Sequence, residues 1–205
     1  MIGGGIHRSN ISADEALQRL VDGNARFRRG ETRFPSVQKE ILMQLAEGQR
    51  PYATILGCSD SRVPPEIIFN AGLGELFVVR VAGNVLSPEV SGSLEYAGAH
   101  LHTPLFVILG HEGCGAVQAA LDTKLHGVQQ RARVRTLVDN IMPGLCDIDP
   151  QAVPALQLAQ AVEANVRWTM RQIAVSPEGK AAISAGRLKL EGGIYEIRSG
   201  CVRFL

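Results

Sequence analysis

The chain has 205 residues, 45% hydrophobic and 20% charged, with 22 glycines, 10 prolines and 4 cysteines, the profile of an ordinary soluble globular protein in which a disulfide scaffold is unnecessary. Its 21 Lys and Arg balance 20 Asp and Glu to a formal net charge of +1, so no basic field exists to draw nucleic acid or anionic lipid. The longest apolar runs, such as Leu105 to Leu109, reach about a quarter of the ~20 residues that a membrane helix needs.

The first residues, Met1 to Arg8, lack the apolar stretch of a signal peptide, so a cytoplasmic protein is expected, although a mature exported chain would read the same way. Ser12 with Glu15 forms a capping-box pattern, and Ala16, Leu17, Leu20, Val21 and Phe27 repeat at near-helical spacing up to Gly30, which predicts a first helix. A second is expected over Ser36 to Glu47, stopped by Gly48 and Pro51. Three short apolar runs, Tyr52–Leu56, Leu76–Val81 and Leu105–Leu109, read as buried strands. Helical patterns over Pro88–His102 and Ala116–Leu125 follow the second and third runs. Strands alternating with helices imply crossovers and a mostly parallel sheet flanked by helices, an α/β fold.

Further helices are expected over Val128–Ile141, Ala152–Val175 and, after Ser176 with Pro177 in the first turn, up to Gly186. The tail from Leu188 to Leu205 alternates apolar and polar residues around Ser199–Gly200, which suggests a C-terminal edge strand or hairpin. No repeat, low-complexity tract or linker divides the chain. It reads as a single domain over 1–205, with residues 12–50 as an N-terminal helical arm.

Chemistry concentrates at two strand ends. Gly57-Cys58-Ser59-Asp60-Ser61-Arg62 follows the first strand, and if it is extended, Cys58, Asp60 and Arg62 share one side. Open parallel sheets bind ligands beyond the carboxyl ends of their strands, where this trio falls. The third strand ends in Gly110-His111-Glu112-Gly113-Cys114-Gly115, with Cys114 opening a helix whose dipole favours thiolate. If the two strands are neighbours, Cys58, His111 and Cys114 offer S, N and S donors around one point, a set suited to tetrahedral zinc with a fourth position open.

Each piece also has a plainer reading. A lone Cys after a strand is usually packing, a lone His usually structural, and an Asp-x-Arg pair usually a weak surface ion pair; the joint pattern is what favours a metal. Position 115 is Gly, not the second His of a zincin helix, and the chain has no Walker phosphate loop and no Cys-x-x-Cys. Met1–Gly5 lacks the preceding strand of a dinucleotide fingerprint. Arg131, Arg133 and Arg135 read as a solvated or interface face, and Cys146 and Cys201 as packing or exposed thiols.

Cys58-Ser-Asp-Ser-Arg62 with Val63-Pro64, the run Gly74 to Asn84, Gly110-His111-x-x-Cys114-Gly115 and Glu163-Ala-Asn-Val together closely resemble the β-class carbonic anhydrases, from about residue 12 to the end. The resemblance implies a homo-oligomeric zinc enzyme, dimer or tetramer, that interconverts CO2 and bicarbonate by attack of zinc-bound hydroxide. Cys58, His111 and Cys114 match the family's ligands and Asp60 and Arg62 its dyad. Gln49, Phe77 and Tyr96 match, by motif offset, residues of a substrate cleft that the plant subgroup assembles at a dimer interface, with Val63 as a further apolar wall. Where one subgroup carries a Trp used in bicarbonate inhibition, this chain has Ile55, which argues against that regulation, although Gly57 is closer to that subgroup.

The dyad has a physical rationale. Two thiolates donate more charge to zinc than imidazoles would, so activity is expected to favour alkaline pH. Asp60 would orient the nucleophile by accepting its hydrogen bond, and a bidentate Arg62 would keep the carboxylate off the metal. Two alternatives remain at this level: a zinc-stabilised scaffold in which Asp60 occupies the metal, and a hydrolase of carbon disulfide or carbonyl sulfide.

Overall fold

A computed structural model describes residues 11–31 and 39–205; the expectations on Met1–Gly5 and on residues 36–38 of the second helix lie outside the described residues. Helix α1 (Ala13–Arg28) starts as its cap dictates. Ser12 Oγ accepts from the Glu15 N–H at 3.2 Å, and the Ser12 N–H donates to the Glu15 carboxylate at 2.7 Å, satisfying two end donors reciprocally. Its buried positions Ala16, Leu20, Gly23 and Asn24 form one stripe, and a Cβ at Gly23 would collide with the Phe69 carbonyl. Helix α2 (Lys39–Ala46) buries no residue within the chain.

Five strands form one sheet in the order β2-β1-β3-β4-β5: β1 (Ala53–Gly57), β2 (Leu76–Arg80), β3 (Leu105–His111), β4 (Lys189–Glu196) and β5 (Cys201–Phe204). All pairings are parallel except β4 with β5. Strands β1 and β3 are buried at every position, as covered parallel strands must be. Their side chains alternate between two cores. Leu56, Phe106 and Ile108 enter one with Val117, Ile141 and Val166, while Ile55, Val107 and Leu109 enter the other with Leu20, Ile68 and Phe69.

The first of these cores is roofed by α4 (Pro88–Ala99), α5 (Gly115–His126), α6 (Ala132–Ile141), α7 (Pro154–Val175) and α8 (Pro177–Ser184). The expected helix over 88–102 stops at Ala99, since His102 takes a positive φ of 53° ahead of Thr103-Pro104, where helix is disfavoured. The one expected over 128–141 begins only at Ala132, because Gly127 closes α5 in the left-handed region and the Thr123 hydroxyl donates to the Val128 carbonyl at 2.9 Å. Pro154 sets the start of α7. A one-turn helix, α3 (Pro65–Ile68), was not anticipated, although Pro64-Pro65-Glu66 carries the N-terminal signal. The tail does form a hairpin, turning through Gly200 with φ 69° and placing β5 at the sheet edge.

Candidate metal centre

Parallel pairing of β1 and β3, with Gly57 opposite Leu109, brings their carboxyl ends together, so the loops that follow meet above one edge of the sheet. Cys58 leaves β1 into one loop, while His111 closes β3 and Cys114 caps α5. The three are buried, and their ligand atoms lie within 4.8 Å of one another. Cys58 Sγ and Cys114 Sγ are 4.0 Å apart.

The donor set fits zinc on its own chemistry. His111 Nδ1 meets the Glu112 carbonyl at 3.0 Å, and a carbonyl only accepts, so Nδ1 holds the proton and Nε2 keeps a free lone pair. That Nε2 is buried with no hydrogen-bond partner among the described residues, an expensive state unless a cation completes it. The two thiols shift in opposite directions. Cys58 is pulled down, chiefly by the hydrogen bond shared with Cys114 and also by the Gly83 amide, against its burial. Cys114 is pushed up by that same bond, by burial and by the charge on Cys58, which outweigh the α5 amides of Val117 and Ala116. The helix-end effect expected to ionise Cys114 is therefore present but subordinate.

The loop after β1 does not stay extended, so the alternation expected for Cys58, Asp60 and Arg62 is replaced by a turn. The Arg62 N–H donates to Asp60 Oδ1 at 2.9 Å and the Val63 N–H to the Asp60 carbonyl at 3.1 Å, an Asx-type turn. Arg62 Nε and Nη2 donate to Asp60 Oδ1 and Oδ2 at 3.0 and 2.7 Å. Asp60 Oδ2 stands 3.9 Å from His111 Nε2, so the turn still brings the carboxylate to the ligand cluster. The Arg62 guanidinium, with the Arg62 amide as a lesser aid, holds the Asp60 carboxyl well below the usual carboxylate range, and Arg62 is raised in turn.

The other expected site residues are placed differently. Val63 is fully buried, in the core that contains Ile55 and Val107. Phe77 lies half-buried on the edge strand β2, 6.1 Å ring to ring from Tyr96, which is 46% exposed on α4. Gln49 is exposed in the segment between α2 and β1. Within one chain, then, Phe77 and Tyr96 share a contact, and Gln49 stands apart on the surface.

Two contributors escaped the sequence reading. Arg80, at the end of β2, donates to the carbonyls of Cys58 and Asp60 at 3.0 and 2.6 Å. The Gly83 N–H donates to Cys58 Sγ at 3.3 Å. Both follow the second strand, and a charged residue ending an edge strand next to the Cys58 loop was the available signal.

A family model described as carbonic anhydrase matches residues 53–202. The chain is 37% identical over 196 residues to a carbonic anhydrase of Mycolicibacterium smegmatis, covering 94% of this chain and 93% of that protein. It is 38% identical over 195 residues to carbonic anhydrase 2 of Mycobacterium tuberculosis, covering 93% and 92%. Among solved structures it is similar to tetrameric β-carbonic anhydrases of Sordaria macrospora, with TM-score 0.73, 26% identity and coverage of 81% and 86%. The Coccomyxa β-carbonic anhydrase in complex with acetazolamide gives TM-score 0.74 and 26% identity, covering 92% and 86%.

Proposed function

The chain belongs to the β-carbonic anhydrase family, and from that premise we propose that Cys58, His111 and Cys114 are its metal ligands and Asp60 and Arg62 its catalytic dyad. The reaction is the reversible hydration of CO2 to bicarbonate and a proton, and the cofactor is zinc. The observation that carries the residue assignment is the unpartnered Nε2 of buried His111 between two sulfurs, with the Arg62-held carboxylate of Asp60 beside it.

Zinc held there supplies Lewis acidity that makes water nucleophilic near neutral pH. The Asp60 carboxylate accepts a hydrogen bond from the nucleophile and so aims a lone pair at CO2. Arg62 has two tasks on this reading. Its fork fixes the carboxylate plane, and it occupies both oxygens so that Asp60 does not swing onto the ligand cluster.

Phe77 and Tyr96, whose rings pair on the exposed edge of the sheet, supply the apolar wall for CO2 and Gln49 the hydrogen bond to bicarbonate, while Val63, fully buried in the other core, is left out of that wall. Gln49 lies on the surface and Tyr96 is half exposed in one chain, which supports a cleft completed by a second copy, as a dimer or tetramer. The Sordaria relatives are tetrameric. Residues 12–50 form the helical arm of a single domain on this reading, and the absence of buried residues in α2 favours an arm that packs between copies. The uneven spacing of the cysteines suits a reducing compartment and supports reading the protein as cytoplasmic; among the described residues no helix is long and apolar enough to cross a membrane.

The test is stopped-flow CO2 hydration on zinc-quantified protein from about pH 7 to about 9, with Cys58→Ala beside it. Fast turnover that rises with pH and vanishes in the variant is expected. One zinc per chain with no turnover across that range would overturn the open dyad and favour a closed, Asp60-ligated site.

A further inference from the structure

The Gly83 amide that reaches the Cys58 sulfur sits in a short 3-10 turn, Ala82–Asn84, whose backbone is hard to hold. Gly83 has φ 72°, and the next residue, Asn84, keeps φ 44° although it is not glycine. A Cβ at Gly83 would lie 2.8 Å from Ile141 Cδ1 and 3.1 Å from Ala116 Cβ, so the turn is wedged between α5 and α6. Asn tolerates positive φ better than other non-glycine residues, and two successive residues there still leave a turn that its neighbours must hold.

Helix α7 does the enforcing. Asn165 Nδ2 donates to the Gly83 carbonyl at 2.8 Å and Thr169 Oγ1 to the Asn84 carbonyl at 3.3 Å. The two donors lie one helical turn apart on the same face, and each is only 1% exposed. The arrangement is also incompletely satisfied. Asn165 Oδ1 and Asn84 Nδ2 are buried without hydrogen-bond partners among the described residues. An apolar residue at 165 would remove the orphaned Oδ1 but leave the Gly83 carbonyl without its donor, so the amide is retained for the turn it holds. Gln157, on the same helix, marks the contrast. Its Nε2 caps the Asp149 and Pro150 carbonyls at 3.1 Å each, far from the cluster in the chain, and it has no orphaned atom.

We propose that Asn165 is a positioning residue for the metal site: by anchoring the Gly83 carbonyl it restrains the turn from whose preceding peptide the Gly83 N–H reaches Cys58 Sγ, so the sulfur's donation to the metal depends on a side chain that makes no hydrogen bond to any ligand. The inference rests on the assignment of Cys58 as a ligand. An N–H directed at a thiolate withdraws charge from it and fixes its direction, which are the two ways an outer group tunes a metal site. Thr169 assists by holding the far end of the same turn.

The experiment compares the full chain with Asn165→Leu, Thr169→Val and Gln157→Leu, using zinc loss to a competing chelator, the thiolate-to-metal charge-transfer band of the cobalt-loaded protein, and the melting temperature. Asn165→Leu is expected to weaken zinc retention by about 10-fold or more and to move the cobalt band. Thr169→Val does the same to a smaller degree and serves if Asn165→Leu fails to fold. Gln157→Leu lowers the melting temperature yet leaves retention and band unchanged. Wild-type retention and an unmoved band in both Asn165→Leu and Thr169→Val, or an equal change in Gln157→Leu, would overturn the proposal. A wild-type chain that takes up no zinc would instead overturn the ligand assignment, and the proposal with it.

Discussion

Arg62 grips Asp60 with one edge of its guanidinium, Nε and Nη2, and the oxygen in the shorter contact, Oδ2 at 2.7 Å, is the one that stands 3.9 Å from His111 Nε2. The carboxylate therefore has two possible partners in reach: the guanidinium, or whatever His111 and the two sulfurs hold. Arg62 is about half exposed, so solvent screening leaves the pair little weight in stability. Its consequence lies in which partner the oxygen chooses.

Removing the fork is thus expected to act on turnover and not on folding. Arg62→Ala should reduce CO2 hydration by about 100-fold while zinc stays at one per chain, because a misdirected catalytic group costs on that order. Asp60→Asn should lose a similar factor and also retain zinc, since it forfeits the acceptor without touching a ligand. Arg62→Lys should fall between, its single point charge being unable to hold both oxygens. Zinc stoichiometry beside stopped-flow rates checks all three, and a fully active Arg62→Ala would end the dyad assignment.

Asn24 ties the first helix to the far end of the chain. Its Nδ2 donates to the carbonyls of Ile68 and Gly200 at 3.2 and 2.8 Å, and its Oδ1 accepts from the Val202 N–H at 2.9 Å. Asn24→Ala leaves three backbone groups unpaired in a buried place, and losing even one such partner costs about 1–3 kcal/mol. The melting temperature should drop by roughly 4–8 °C, taking about 2 kcal/mol and the size-dependent conversion for a domain of this length. Thermal unfolding checks this, and a drop below about 2 °C would mean α1 is held by its apolar stripe alone.

The contrast between Asn24 and Cys58 shows what the sequence made legible. Signals that act within a few residues were readable: the Ser12–Glu15 cap, the apolar runs of β1, β2 and β3, the Ser199–Gly200 turn, and both strand-end motifs. The adjacency of β1 and β3, on which the metal cluster depends, entered only as a condition, because parallel neighbours are separated by whole crossovers. The Asx turn at Asp60 was misread as extended since period-two alternation ignores a side chain that bonds its own backbone. The roles of Asn165 and Asn24 have no local signal, since their partners lie 82 and 176 residues away. Long-range polar contacts leave no periodic trace.

Gly110, one residue before His111, faces α7 and β4. A Cβ there would stand 2.6 Å from Val166 Cγ2 and 3.3 Å from both Ile194 Cδ1 and Val162 Cγ1. Alanine normally stabilises a glycine position whose backbone it accepts, but here overpacking should dominate, with Gly110→Ala losing about 1–3 kcal/mol. Adding Val166→Ala should recover much of that loss by vacating the contact. Chemical denaturation of the single and double variants checks it, and simple additivity of two losses would refute the steric reading.

Glu163 joins α7 to β5 and supplies a pH test away from the metal. Arg203 Nη2 reaches its Oε2 at 3.0 Å, and Arg167 Nε and Nη2 reach its Oε1 at 3.1 and 2.9 Å. Arg203 first and Arg167 second hold its carboxyl below the ordinary value of 4.5. With the folded pKa depressed and the unfolded one near 4.5, the stabilisation is fully present above that pH and disappears as pH falls through the folded value. The carboxylate is one-third exposed, which limits the effect to about 1 kcal/mol, or roughly 2–4 °C for a chain of this length. Glu163→Gln should therefore melt a few degrees below wild type at neutral pH, with the gap closing under acid and narrowing in high salt. Arg203→Met should show the same pH dependence, and combining the two should add little to either alone. A gap that widens on acidification would reverse the sign of the coupling and show that the network strains the α7–β5 contact instead of stabilising it.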